Sequence, residues 1–516
     1  MMRESAMRAW DESAADVERA SEMIPEPCTM VLFGASGDLS GRKLIPALFQ
    51  LFQEGLLPAE FTLVGTALVP MGHEGFRSRM RTAVEQSFGV GGVDPAAWNA
   101  FARGLYYVPL DISSAGDYAR LGGLLERVEA ERRTRGNRLF YLAVSPALFG
   151  DVVERLGESG LARSDARRWS RIVVEKPFGT DLPSARRLNT RLRRYFDESS
   201  IYRMDHYLGK EMVQNLLVLR LANGIFEPLW NQRHIDHIQV TCAEPLGVEG
   251  RGGYYEQAGV VRDMIQNHAF QVLSLIAMEP PASLEPEAVR DEKVRVLEAA
   301  RPFTPERIRA ECVRGQYGPG LIAGAPVCGY RQEPGVSPTS GVETYAMLTM
   351  RFDNPRWAGV PFYVRSGKRL KERLTEVVVQ FKEGRENLFG AGQRERMSAN
   401  QLIIRIQPHE SVTLRVAMKA PGRAVRVRDM DMSFFYAASH EGPPPEAYER
   451  LLLDGMLGVS TLYTREDMVE RAWELVTPVL DAWSHTGAEP NYAAGTWGPA
   501  DASRLLERQG LAWNGA

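Results

Sequence analysis

CTMVLFGASGDLSGRKLIPALFQLFQEGLLP, residues Cys28 to Pro58, is the stretch that decides the fold. Met30–Phe33 reads as a buried strand, an apolar run too short for a helix and closed by glycine. Beyond the glycines, Leu44, Ala47, Leu48 and Leu51 recur at helical spacing, and Pro58 ends the helix. Strand, glycine turn and helix form the first half of a βαβ unit. FTLVGTALV, GLYYVPLDI, RLFYLAVSP and RIVVEKPFG follow as further apolar runs, with helix-periodic stretches such as GFRSRMRTAVEQSF and YARLGGLLERVEAERR between them. Alternating strands and helices predict an α/β doubly wound (Rossmann) domain with a parallel sheet over residues 28–204.

The texture then changes. HIDHIQVTCAEPL, VETYAMLTMRF, VPFYVRSGK, TEVVVQFK, NQLIIRIQP and ESVTLRVAMK are strand-like, and most have no helix between them. Strands in succession favour antiparallel pairing, so residues 205–516 are expected to form a larger α+β domain with a mostly antiparallel sheet. Its expected helices include Lys210–Asn223, Gly259–Met278 and the run from Pro445 to Gly455, after the proline break near Pro443. Residues 1–27 form an N-terminal extension, read as a short helix or a disordered segment. They lack the apolar core of a secretory signal.

Two domains also fit the length of 516 residues. Net charge is −3 from 62 basic and 65 acidic residues, so no global field favours nucleic acid or an anionic membrane. An anionic substrate therefore needs a local cluster of cations. Cys28, Cys242, Cys312 and Cys328 are widely spaced, without metal-ligand spacing, and read as reduced thiols of a cytoplasmic protein. No apolar run reaches membrane-spanning length.

Within the opening stretch, Gly34, Ala35, Ser36, Gly37, Asp38, Leu39, Ser40 and Gly41 form the turn. Gly34 allows the tight bend, Gly37 lets backbone approach a pyrophosphate, and the amides of the helix start point at the anion. Ser40 stands where a third glycine is usual. Such turns also join strand to helix without binding anything, so the motif alone leaves both readings open. Cofactor choice is written at the end of the second strand, where an acid suits NAD and an arginine suits NADP. Leu68 stands there and carries neither charge. Arg42, Lys43, Arg77 and Arg79 either supply the cation or are solvated helix residues.

Four further clusters carry chemistry. EKPFG puts Glu175, Lys176 and Pro177 at the carboxyl edge of the parallel sheet, where ligands bind in open α/β folds. YRMDHYLGKE concentrates Asp205, His206, Tyr207 and Lys210. AEPLGVEGRGGYYEQAGVVRDMIQNH contains Glu244, Asp263 and His268, and RSGKRLKER contains Lys368 and Arg373. Singly, each also reads as a solvated turn or a local ion pair; jointly they are hard to attribute to accident. Lys210 follows His206 by four positions, which places both on one face if the segment is helical.

At these residues the chain resembles glucose-6-phosphate dehydrogenases. The resemblance runs through GASGDLSGRKLIPALF, VVEKPFG, YRMDHYLGKE, AEPLGVEGRGGYYEQAGVVRDMIQNH, GVPFYVRSGK, IRIQP, AYERLLLDGMLG and YAAGTWGP, in that order from about Cys28 onward. It implies oxidation of the C1 hydroxyl of glucose 6-phosphate to a lactone, with hydride passing to NADP or NAD. This is the first step of the oxidative pentose phosphate pathway. By the resemblance His268 is the base and Asp205 its orienting partner, the logic of a triad without a nucleophile. His206, Tyr207 and Lys210 bind the phosphate. Lys176 stands between nicotinamide and sugar, and Lys176–Pro177 is a cis peptide as in the family. Glu244, Asp263, Lys368, Arg373 and Gln407 contact the sugar hydroxyls and substrate. No metal is implied, and the expected assembly is a homodimer or homotetramer formed through the antiparallel sheet.

The chain departs from the family at Leu68, which puts NAD beside NADP as a candidate cofactor, and at Ser145 and Phe149, which adjust packing near the nicotinamide. The tail ends at RLLERQGLAWNGA, so a second, structural NADP site is expected to be absent or weak. Two rival readings remain. A related enzyme that oxidises unphosphorylated or other hexoses would not need His206, Tyr207 and Lys210; a non-catalytic nicotinamide-binding regulator would tolerate loss of His268 and Asp205.

Overall fold

The computed structural model describes residues 23–89, 91–383, 398–423, 425–436, 445–485, 487 and 489–515. The expectations for residues 1–22 and for the proline break at Pro443 lie outside these. The chain folds as two compact units. The first comprises Met1–Gly209, Pro280–Glu292 and Pro445–Glu470, and the second Lys210–Glu279, Lys293–Pro444 and Arg471–Ala516.

In the first unit, β1 (Thr29–Phe33), β2 (Thr62–Ala67), β3 (Leu105–Pro109), β4 (Arg138–Leu142), β5 (Ser170–Glu175) and β6 (Ile201–Met204) form one sheet. Its order is β3-β2-β1-β4-β5-β6, and every pairing is parallel. β1 and β4 are buried along their whole length, which explains their unbroken apolar sequences. Helices α1 (Ile45–Gln53) and α2 (His73–Phe88) follow β1 and β2. The strand order reverses between β1 and β4. In such sheets that switch point opens a crevice at the carboxyl ends, and the glycine turn leaves β1 there. β6 was not among the expected strands.

Two segments remote in sequence complete this unit. Pro280–Glu292 and Pro445–Glu470 are tied to each other by Arg465, whose guanidinium pairs with Glu287 at 2.9 Å and Asp291 at 2.6 Å. Strand and helix patterns carry no signal for such an excursion, because it depends on long-range packing.

The second unit contains an eight-stranded sheet: β7 (Ile235–Ala243), β8 (Cys312–Gly315), β9 (Tyr345–Met350), β10 (Phe362–Gly367), β11 (Leu374–Phe381), β12 (Gln401–Gln407), β13 (Ser411–Lys419) and β14 (Val427–Phe435). The order is β14-β13-β12-β11-β7-β10-β9-β8. All pairs are antiparallel except β7 with β10, which is parallel. The helix expected over Gly259–Met278 is instead three pieces: Gly252–Val260, a π-helical segment Val261–Ala269, and Phe270–Ala277. Gly259 breaks the run at φ +63°, and a Cβ there would lie 2.3 Å from Glu343 Oε1. Among the described residues no helix is long and apolar enough to cross a membrane.

Candidate active site

The glycine turn is held by its own backbone. Gly34 and Ala35 donate to Thr66 O at 2.9 and 3.0 Å, and Gly37 donates to Gly34 O at 2.9 Å. Gly34 sits at φ +84°, and a Cβ there would meet Ala143 O at 2.2 Å, so the backbone just past β4 enforces glycine at this position. Ser40, in the third-glycine place, is buried and folds its hydroxyl back to Gly34 O at 2.9 Å. The departure from glycine thus adds a bond to the turn. The first amides of a helix have no acceptor within it, which leaves those that open Ser40–Leu44 available to an anion. Gly37, Asp38, Gly41, Arg42, Lys43 and Arg79 line a cleft of about 710 Å³ beside the turn. These groups fit a dinucleotide: small residues for close approach, amides for a pyrophosphate, cations for further phosphate. Leu68, at the end of β2, is 72% exposed.

At the carboxyl end of β5, Glu175 is a carboxyl held by phenols. Its carboxylate accepts a 2.5 Å hydrogen bond from the Tyr141 hydroxyl at the end of β4 and another from Tyr448. Burial pushes Glu175 up to about 7, and the two phenols and neighbouring Lys176 only partly offset it. Burial and the adjacent Glu175 charge push the Tyr448 phenol upward in turn. The Lys176–Pro177 peptide is cis.

β6 delivers the next cluster. Asp205 follows it directly, is buried, and accepts the Tyr207 amide at 3.0 Å on Oδ1. The His206 ring lies parallel to Tyr448, with centroids 6.4 Å apart and planes 5° from parallel, and edge-on to Tyr207 at 5.2 Å. Tyr448 therefore joins Glu175 to His206. Sequence reasoning missed Tyr141 and Tyr448, because tyrosines in apolar stretches read as core. Arg203 on β6 is structural, buried between Glu198 at 2.6 Å and Asn189 at 2.9 Å.

The condition for a shared helical face is not met here. His206 to Lys210 is not helical: Leu208 closes a turn onto Asp205 O, and Lys210 is the extended N-cap of helix Glu211–Leu221. A Cβ at Gly209 would meet Ala447 O at 2.5 Å, so the chain passes too close to that backbone for a side chain. The four-residue spacing gives no shared helical face.

Two groups assemble in the second unit. Lys210 Nζ and Arg373 Nη2 both donate to Gln407 Oε1, at 2.5 and 3.3 Å, while Gln407 Nε2 donates to Thr375 Oγ1 at 2.9 Å. Thr375 is a further residue that sequence reasoning missed. The buried Lys368 ammonium bonds the Glu244 carboxylate, lies 3.7 Å from Asp263, and sits 5.5 Å over the Tyr255 ring. Asp263 thus pairs with Lys368, and burial beside Asp263 pushes the Tyr254 phenol up to about 12. His268 is buried five residues further along the same π-helical segment, where its amide donates to Asn267 Oδ1 at 2.6 Å. π-Helical turns recur at functional sites because they re-aim side chains out of the α-helical register. Asp205, His206, Tyr207 and Lys176 belong to the first unit. Lys210, Glu244, Asp263, His268, Lys368, Arg373 and Gln407 belong to the second.

A doubly wound sheet with a phosphate-cradling turn, joined to a unit rich in buried acid–base pairs, defines a nicotinamide-dependent oxidoreductase. "Glucose-6-phosphate dehydrogenase, NAD binding domain" matches residues 31–215, and "Glucose-6-phosphate dehydrogenase, C-terminal domain" matches 217–514. The chain belongs to the glucose-6-phosphate dehydrogenase family. It is 46% identical over 491 residues to the glucose-6-phosphate 1-dehydrogenase of Aggregatibacter actinomycetemcomitans, covering 95% of this chain and 98% of that one. Identity to the Bacillus subtilis enzyme of the same description is 43%, over 94% and 97% of the two chains. Among solved structures, a glucose-6-phosphate dehydrogenase in complex with its substrate glucose 6-phosphate superposes with a TM-score of 0.86 at 36% identity. That match covers 95% of this chain and 99% of the other.

Proposed function

We propose that the chain oxidises the C1 hydroxyl of glucose 6-phosphate to 6-phosphoglucono-1,5-lactone, passing hydride to NADP, as the opening step of the oxidative pentose phosphate pathway. The observation that carries this is the near-complete likeness to a relative that binds glucose 6-phosphate, joined to clusters of the chemistry required. A nicotinamide dinucleotide seated on the glycine turn supplies the hydride acceptor.

His268 takes the C1 hydroxyl proton as hydride leaves, and Asp205 is its orienting partner. His206, Tyr207 and Lys210 bind the phosphate. The grouping of Lys210 and Arg373 around one neutral amide oxygen supports anion binding, because two like charges there are relieved by a phosphate. Glu244 and Asp263 accept bonds from sugar hydroxyls, with Lys368 fixing both carboxylates. Lys176 bonds the substrate near the reacting carbon. No step calls for a metal.

NADP is the proposed cofactor, with NAD the alternative that Leu68 raises. We also propose a homodimer or homotetramer through the large sheet. On β14, Met430, Met432 and Phe434 are exposed on one face, opposite Val416, Leu414 and Val412 of β13. A row of apolar side chains on an edge strand favours pairing with a second copy. The four cysteines are free thiols, which suits the cytoplasm.

The test is a spectrophotometric assay of the full chain with glucose 6-phosphate and each cofactor. Reduced nicotinamide should form with NADP, NAD or both; no absorbance change with either contradicts the proposal.

A further inference from the structure

Leu68 leaves the 2′-phosphate of NADP without a cation at the end of β2, since an apolar side chain cannot balance a phosphomonoester. Four cations stand near the glycine turn, and their partners separate them. The Arg42 guanidinium lies 3.3 Å from Asp38. Lys43 is 2.8 Å from both carboxylate oxygens of Glu446. Arg77 pairs with Glu74 at 2.6 Å and spends its Nε on Leu105 O at 3.0 Å. Each of these charges is already balanced.

Arg79 differs. Among the described residues it has no carboxylate partner, and its Nη2 donates to a neutral acceptor, Ser36 O in the glycine turn, at 2.7 Å. Its charge also reaches the end of β2. The Tyr107 hydroxyl donates to Val69 O at 2.6 Å and lies 3.2 Å from Ala67 O, the two residues flanking Leu68, and the positive charge of Arg79 acts on that phenol. The guanidinium therefore stands against the turn, inside the cleft beside it. Of its five N–H donors, one is engaged by Ser36, which leaves a fork for phosphate oxygens.

We propose that Arg79 reads the 2′-phosphate of NADP, taking from α2 the role that a cation at the end of β2 would otherwise fill. The inference rests on the nicotinamide-dinucleotide reading of the glycine turn. It makes cofactor choice a property of a helix residue eleven positions beyond Leu68.

Calorimetric titration of the full chain with NADP and with NAD, without sugar, tests it. Arg79→Ala should weaken NADP binding about ten- to a hundred-fold, the range for losing a charge-assisted bond, and change NAD less than about two-fold. Arg81→Ala, on the same helix but paired with Glu85 at 2.8 Å and outside the cleft, should leave the ratio of the two affinities unchanged. Equal losses for both cofactors in Arg79→Ala, or no loss for either, overturn the role of Arg79. The wild-type titrations test the underlying reading separately. A wild type that prefers NAD, with Arg79→Ala still selectively losing NADP, keeps Arg79 as the reader and removes the proposed NADP preference. Wild type that binds neither cofactor overturns both.

Discussion

Glu175, half-buried in the first unit, and Lys368, buried in the second, are both charge-bearing groups, yet they are satisfied in opposite ways. Lys368 is met by two carboxylates, Glu244 and Asp263. Glu175 is met by two neutral phenols and moves to about 7. Matched charges hold a fixed geometry at any ordinary pH. A carboxyl held by neutral donors keeps its proton within reach of the working range. The second unit is thus built to hold a polar shape, and the first places a titrating group behind His206 by way of Tyr448.

The largest break of this contrast is at His268, the proposed proton acceptor. His268→Asn should lower kcat by about 10²–10⁴-fold with KM nearly unchanged; a raised KM with normal kcat would make His268 a binding residue instead. Next is the ion-paired side. Lys368→Met leaves Glu244 and Asp263 facing each other without their cation, and urea unfolding should show a loss of about 3 kcal/mol. An unchanged midpoint would mean that water replaces the ammonium there.

The phenol side responds to pH. The folded fold favours neutral Glu175, since its value rises from 4.5 to about 7. Its contribution to stability is therefore full below about 4.5 and is lost as pH rises through about 7. Glu175→Gln removes that loss, so the mutant should gain melting temperature relative to wild type between pH 5 and pH 8. Parallel curves across that range would mean that Glu175 titrates normally. The smallest effect is at Leu68. Leu68→Arg adds a second cation beside the cleft and should favour NADP over NAD by a few-fold in Kd.

Much of the first unit was legible in its sequence, because β1 and its glycine turn show a short apolar run, two glycines and a helical period side by side. β6 was not, since Ile201–Met204 has four residues and one is an arginine. Residues Val427–Phe435 of β14 open with Arg428, Asp429 and Asp431 among their first five positions and read as a polar stretch. The parallel β7–β10 pair and the segment 445–470 depend on contacts across more than a hundred positions, which no local period reports. The site follows the same division. His206, Lys210, Asp263 and Lys368 stand in charge-rich motifs that can be read directly. Tyr448 acquires its place only because the fold returns it to Glu175, 273 positions earlier.

The central claim is that this chain is a dehydrogenase that recognises a phosphorylated hexose. Comparing kcat/KM for glucose 6-phosphate and for glucose, with the preferred cofactor saturating, tests it most directly. The account predicts a preference for glucose 6-phosphate of at least about a thousand-fold, as expected when two or more charge-assisted phosphate bonds are lost. Equal values for the two sugars would contradict it.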